Sequence, residues 1–274
     1  MLGEEKTIKI IFFGDMVGKP GRFAVRDFLA ENKDRYDFVI ANVENASHGF
    51  GLTEKNYNEL IEYGVNCMTS GNHIWDKKDI FTYIDSADKL IRPINYPAGT
   101  RGVGSRIFNC GEYKVAVINI LGKVFINAVD FQWDYVTEEI KRLKAITPIV
   151  IVDFHAEATA EKICFAKYCS ELGVSAFFGT HTHVQTADES VINGMAYITD
   201  AGFCGASDGV IGMEYRTSLA KFLTGIPERY EVAGGKSVQL NAVEVEITPS
   251  NGNAVAIKRV FCSRNKDNEG ENED

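Results

Sequence analysis

A chain of 274 residues, 45% hydrophobic and 24% charged, has room for one large domain or two small ones, and its composition excludes collagen, coiled coil and whole-chain disorder. Its net charge of −9 argues against a surface that coats duplex nucleic acid, although cations held in a pocket would still admit a nucleotide. Five of the negatives (Asp267, Glu269, Glu271, Glu273, Asp274) lie in the last eight residues. No apolar run approaches the ~18 residues of a membrane span, and the N-terminus MLGEEKTIKIIFFGD is not a signal peptide, so a cytoplasmic protein without membrane contact is expected. The six cysteines (Cys67, Cys110, Cys164, Cys169, Cys204, Cys262) form no CxxC and lie mostly in apolar segments, which reads as buried thiols of a reducing compartment.

In chain order, Lys6–Phe13 predicts a strand ended by Gly14-Asp15, and Pro20-Gly21 opens a helix to about Asn32. Phe38–Val43 is a second apolar run, ended by Glu44-Asn45. Thr53 caps a helix through Tyr63, with Tyr57, Leu60 and Ile61 at helical spacing. Val65–Ser70 ends at Gly71-Asn72-His73, and Asp76 is placed to cap a helix to about Ile84. Arg92–Gly104 is a Pro- and Gly-rich loop, and Ser105–Cys110 with Tyr113–Leu121 reads as a hairpin. Asp134–Ala145 and Glu157–Leu172 are helical, and they flank the run Pro148–Phe154, which ends at His155. Val174–Gly179 ends at His181-Thr182-His183, and Met195–Thr199 ends at Asp200. Lys236–Thr248 and Ala254–Ser263 form a second hairpin, followed by an acidic tail over 264–274 that reads as disordered. With no repeat and no linker, residues 1–263 read as one α/β domain.

Five apolar runs thus end in residues able to bind metal: Asp15, Glu44, Asn72, His155 and the pair His181/His183. Sites in open α/β sheets form outside the carboxyl ends of strands, so strands sharing a sheet would bring these ends together. His181 and His183 face two metals or one; alone they also read as incidental histidines of a surface loop. Asp15 and Glu44 supply hard oxygens and Asn72 a neutral one, a thiolate-free N/O set that suits Mn, Fe or Zn. A two-metal site needs a shared ligand, and Glu44 is the candidate bridge. His73 stands beside the set, either as a general acid or as a partner that orients a ligand. Asp200 reads equally as a carboxylate that orients a histidine and as a strand terminator. Gly18-Lys19-Pro20-Gly21 is a weak phosphate-cradle pattern or a plain turn. Gly205-x-Ser207-x-Gly209 lacks the downstream histidine that a nucleophile elbow requires.

The strings FFGDMVGKPGR, ANVENASHGFGLT, GNHIWDKKDIF, DFHAEATAEK, GTHTHVQTAD and YITDAGFCGASDGVIGM resemble the YmdB-like 2′,3′-cyclic-nucleotide phosphodiesterases, a branch of the calcineurin-like metallophosphoesterases. The likeness runs from about residue 7 to about 263. It implies a layered α/β sandwich of two mixed sheets flanked by helices, with a small cap drawn from residues 92–104 and 203–235. It implies one metal on Asp15, Glu44, Asn45 and His183, and another on Glu44, Asn72, His155 and His181, with His73 as proton donor. The wider superfamily carries Asp-x-His where this chain has Asp15-x-Val17, with Asn45 as the replacement, and Asp where it has Glu44; both departures match the branch. The metals implied are Fe or Mn, with Zn as a further option, and homo-oligomers are implied too.

The expected reaction is hydrolysis of a 2′,3′-cyclic nucleotide to a 3′-phosphate by metal-activated water, with His73 protonating the leaving ribose oxygen. The same site would serve a phosphomonoesterase or a phospholipid phosphodiesterase, because fold does not fix the leaving group. A nucleotide-sensing regulatory protein with little turnover is the third reading. RNA ends are compatible with the site but not indicated by the charge.

Overall fold

The computed structural model describes residues 6–32, 34–126, 133–226 and 228–265. The elements are β1 (Ile8–Phe13), β2 (Asp15–Met16), α1 (Gly18–Glu31), β3 (Phe38–Asn42), α2 (Glu54–Glu62), β4 (Cys67–Thr69), α3 (Ile80–Tyr83), β5 (Ser105–Cys110) and β6 (Tyr113–Leu121). They continue with α4 (Trp133–Lys144), β7 (Ile149–His155), α5 (Thr159–Glu171), β8 (Ala176–Thr180), β9 (Ser190–Ile192), β10 (Met195–Ile198), β11 (Phe203–Ala206), α6 (Tyr215–Thr224), β12 (Ser237–Ile247) and β13 (Ala254–Asn265).

The strands form two mixed sheets rather than one. The first runs β2-β11-β12-β1-β3-β4, with β13 also on β12; β1, β3 and β4 are parallel. The second runs β5-β6-β7-β8-β10-β9, with a parallel centre and antiparallel edges. The reason is legible in the side chains. Ile8, Ile10 and Phe12 of β1 join the core between the sheets, while Ile11 and Phe13 face α1 and α2 on the other side. Ile149 and Ile151 of β7 likewise face the first sheet, while Val150, Val152 and Phe154 face α4 and α5. A strand covered on both faces must be apolar at both parities, so these runs are continuous rather than alternating. The layers are therefore helix, sheet, sheet, helix, and Phe12 stacks on Phe178 across the middle with ring centroids 4.5 Å apart.

The expected α2 forms where the cap pattern put it: Thr53 accepts from the Asn56 amide at 3.4 Å. The helix expected from Asp76 does not. Only α3 is helical there, because the chain runs through turns over residues 72–79 and starts α3 only at Ile80, while Asp76 Oδ2 pairs with His73 Nδ1 at 2.8 Å. Four elements carried no sequence signal: β2, β9, β11 and α6. Cys164 is exposed rather than buried, since it lies on the outer side of α5. Arg264 and Asn265, expected in the tail, complete β13 by pairing with Val238 and Ser237; the rest of the tail lies outside the described residues. Among the described residues no helix is long and apolar enough to cross a membrane.

Candidate metal centre

The carboxyl ends of β1, β3 and β4 in one sheet and of β7 and β8 in the other reach the same edge of the sandwich. Register aligns them. Phe13 pairs with Ala41 and Asn42 with Thr69 in the first sheet, and Leu121, His155 and Thr180 pair in the second. The residues that follow turn inward together, and all eight candidate site residues meet. Gly71 is required in that turn: a Cβ there would sit 2.2 Å from Glu44 Oε2 and 2.4 Å from His155 Nε2.

Three imidazoles each have one nitrogen occupied by the protein and the other turned to the site. His155 Nδ1 lies 2.9 Å from Thr180 Oγ1. That hydroxyl donates to Asp153 Oδ1 at 2.7 Å, so it accepts from His155 and fixes the proton on Nδ1. His155 Nε2 then faces Glu44 Oε1 at 3.1 Å, Asn72 Oδ1 at 3.2 Å and His181 Nδ1 at 3.0 Å. His181 Nε2 is paired with Glu157 Oε2 at 3.0 Å, leaving Nδ1 inward. His183 Nδ1 donates to the Ile211 carbonyl at 3.0 Å, leaving Nε2 toward Asn45 and Asp15. Such partners orient metal-ligating histidines and fix their tautomers.

The oxygens complete two overlapping groups. Glu44 Oε1 is 3.1 Å from both His155 Nε2 and Asn45 Nδ2, so it stands between the His155/Asn72/His181 group and the Asn45/His183/Asp15 group. Glu44 Oε2 accepts the His73 amide at 3.1 Å. Asp15 Oδ2 accepts the His181 amide at 3.0 Å, while Asp15 Oδ1 and Asn45 Oδ1 are buried with no hydrogen-bond partner. Two orphaned buried oxygens beside inward imidazole lone pairs form a donor set that suits cations. The donors of Glu44, His155 and His181 all lie within 4.8 Å of one another. The residues present therefore fit divalent metal.

The electrostatics agree. Burial pushes the Asp15 carboxyl up, against the pull of His183 and His155. Burial also acts on Glu44, but the His155 imidazole and the His73 amide outweigh it and hold the carboxyl below its ordinary range. His155 is disfavoured as a cation by burial, yet Glu44 and Asp15 raise it to about 9, while burial and the His155 charge lower His181 to about 3.

His73 stands at the rim, about a third exposed, with its ring edge on Phe50 and its Nδ1 on Asp76 Oδ2 at 2.8 Å. Its Nε2 takes no part in these contacts. Residues 92–104 approach through Tyr96, which packs edge-on against Trp75 two residues past His73. Residues 203–235 approach through the Ile211 carbonyl and through Tyr230, which faces Phe50. A cavity of about 540 Å³ adjoins His183 and Ile211. A larger one of about 870 Å³ lies along the flank of α1, away from the cluster, and exposed His48 lines it. Gly21 is explained by packing, since a Cβ there would lie 2.3 Å from the Cys204 carbonyl.

Sequence reasoning missed four partners of these residues. Glu157 follows His155 by two positions, a carboxylate after a strand end that reads only as the start of a helix; Thr180 and Asp153 are hidden inside apolar strands; Ile211 acts through its backbone, which no side-chain pattern signals.

Known proteins resemble this chain in sequence and in fold. The family described as YmdB-like protein matches residues 11–260. A 2′,3′-cyclic-nucleotide 2′-phosphodiesterase of Bacillus subtilis is 43% identical over 259 residues, covering 93% of this chain and 97% of its own. A crystal structure of a protein described as a novel phosphatase from Mycoplasma pneumoniae superposes with a TM-score of 0.88 at 36% identity, covering 95% of each chain. A putative 5′-nucleotidase structure from Staphylococcus aureus, at 13% identity and a TM-score of 0.57 over 93% of this chain and 54% of its own, shares the fold. By sequence over most of its length, the chain belongs to the YmdB-like protein family.

Proposed function

We propose that this chain, a phosphoesterase by family and fold, hydrolyses 2′,3′-cyclic nucleotides to 3′-phosphates in the cytoplasm with two divalent metals. The observation that carries the reading is the set of three imidazoles, each held by the protein at one nitrogen and turned inward at the other, around the buried Glu44 and Asp15 carboxylates, beside the unpartnered Asp15 Oδ1 and Asn45 Oδ1. Asp15, Glu44, Asn45 and His183 would hold one metal, and Glu44, Asn72, His155 and His181 the other, with Glu44 shared. Fe or Mn suits this thiolate-free set, and Zn is compatible with it. Bound there, the metals would polarise the phosphoryl oxygens and supply a water acidic enough to attack at neutral pH.

The chain's own residues do the rest. Asp153, through Thr180, and Glu157 hold His155 and His181 in the ligating tautomers. His73 is anchored by its amide to Glu44 and by Nδ1 to Asp76, so its Nε2 is the atom placed to protonate the departing ribose O2′. Residues 92–104 and 203–235 wall the site as a small cap. The exposed Phe222 and Leu223 at the end of α6, with Ile226 just past it, support a homo-oligomer.

The test is turnover of 2′,3′-cyclic AMP, bis(p-nitrophenyl) phosphate and p-nitrophenyl phosphate by purified protein, with Mn²⁺ and then with chelator. Diester hydrolysis that Mn²⁺ supports, that chelator abolishes and that yields 3′-AMP is expected. Faster hydrolysis of the monoester would move the assignment to a phosphomonoesterase. Bound metal and bound cyclic nucleotide without turnover would move it to a sensor.

A further inference from the structure

The two histidines after β8 adopt backbone conformations that side chains rarely take, φ +102° at His181 and +61° at His183. Such a conformation persists only where the surroundings impose it. Thr182 stands between them, and both its amide (3.1 Å) and its hydroxyl (2.7 Å) donate to one oxygen, Asp200 Oδ2. The same oxygen accepts Lys162 Nζ at 2.7 Å, and Asp200 Oδ1 accepts the Gly202 amide at 2.9 Å. The Lys162 and Asp200 side chains are each 1% exposed. A buried ion pair is a poor source of net stability, since desolvation offsets its attraction, so its worth here lies in what it holds. It ties α5 and the residue after Thr199 to Thr182, the residue between the two histidines.

We propose that Asp200, fixed by Lys162, is a positioning residue of the metal centre: it clamps Thr182 and so aims His181 at the His155 side and His183 at the Asn45 side. This rests on the two-metal reading above. No histidine touches Asp200; the clamp acts through the residue between them.

Asp200→Asn would leave the Lys162 ammonium buried against a neutral group and threaten the fold itself. Thr182 gives a cleaner test. Thr182→Val removes only the hydroxyl bond, and Thr182→Ser keeps it. Each protein is stripped with chelator, its melting temperature is recorded, and Mn²⁺ is titrated by calorimetry with metal content checked by elemental analysis. The expected result is a melting temperature for Thr182→Val within about 2 °C of the parent, with Mn²⁺ affinity weakened ~10-fold or more, the loss usual for a partner that orients a ligand. Thr182→Ser should bind within about 2-fold of the parent, because the oriented hydroxyl is retained. Parent-like Mn²⁺ affinity in Thr182→Val overturns the clamp, as does equal loss in both variants. A parent chain that takes up no Mn²⁺ overturns the two-metal reading instead, which separates the two failures.

Discussion

At the scale of single residues, the division of labour around His73 can be read from its partners. Its backbone serves Glu44 and its ring serves neither metal group, being turned to Asp76 and Phe50. His73→Ala should therefore keep both metals and lose about 10²–10⁴ in kcat, the usual worth of a general acid. Elemental analysis beside steady-state kinetics checks this; loss of metal would show that the ring ligates after all. Asp76→Asn should lower kcat by a smaller factor, about 10-fold, since it removes only the group that orients the ring. That the eight candidate residues would lie together was legible because each is a distinctive side chain just past an apolar run. Their supports were not. Thr180 and Asp153 look like ordinary strand residues until parallel pairing sets them beside His155, and the Ile211 carbonyl belongs to a turn with no side-chain signature.

At the scale of elements, legibility follows length and periodicity. The long strands and α1, α2, α4 and α5 announce themselves because burying two faces or one stripe demands many apolar residues in register. The two-residue β2 exists only because Asp15 and Met16 pair with Phe203 and Cys204, a contact nearly two hundred positions away in the chain. The helix expected from Asp76 is shortened because the chain runs through turns over residues 72–79 and starts α3 only at Ile80, while Asp76 Oδ2 pairs with His73 Nδ1. The end of β10 has its own clamp: Asp188 accepts from the Thr199 amide at 3.2 Å, from the Thr199 hydroxyl, and from the Thr186 hydroxyl at 2.6 Å. Burial acts to raise this carboxyl, but the hydroxyl and amide donors win and hold it below the ordinary aspartate value. A depressed carboxyl stabilises the fold above its unfolded pKa of ~3.9, and the contribution fades as pH falls through the lower folded value. Asp188→Asn should therefore cost about 1 kcal/mol at neutral pH, discounted for its part exposure. The gap to the parent should narrow as pH drops from 7 toward 3. Urea melts across that range measure it, and a gap that widens on acidification would contradict the assignment.

At the scale of the whole molecule, the candidate metal centre is a joint between two sheets. Asp15, Glu44, Asn45, Asn72 and His73 come from one, and His155, His181 and His183 from the other. No strand pairing links the sheets among the described residues; the Ala254 amide donates to the Gly194 carbonyl at one edge, and the side chains packed between the sheets form the rest of the joint. Phe12 and Phe178 stack at the centre of that layer, each three residues before a ligand, Asp15 and His181. Removing a large buried ring costs about 3–5 kcal/mol in transfer and cavity terms. Phe178→Ala should lower the melting temperature of the metal-free chain accordingly. The sharper consequence concerns metal. Ligand binding to the folded state adds RT ln(1 + [L]/Kd), about 2.7 kcal/mol at a hundredfold excess over Kd. If the stack holds the halves in register, the variant binds Mn²⁺ more weakly, and the rise in melting temperature on adding a fixed Mn²⁺ concentration is smaller than in the parent. If the ring only fills space, both proteins gain the same increment from Mn²⁺ and differ only in their metal-free melting temperatures. Thermal melts of the two proteins, each with and without Mn²⁺, decide between these outcomes.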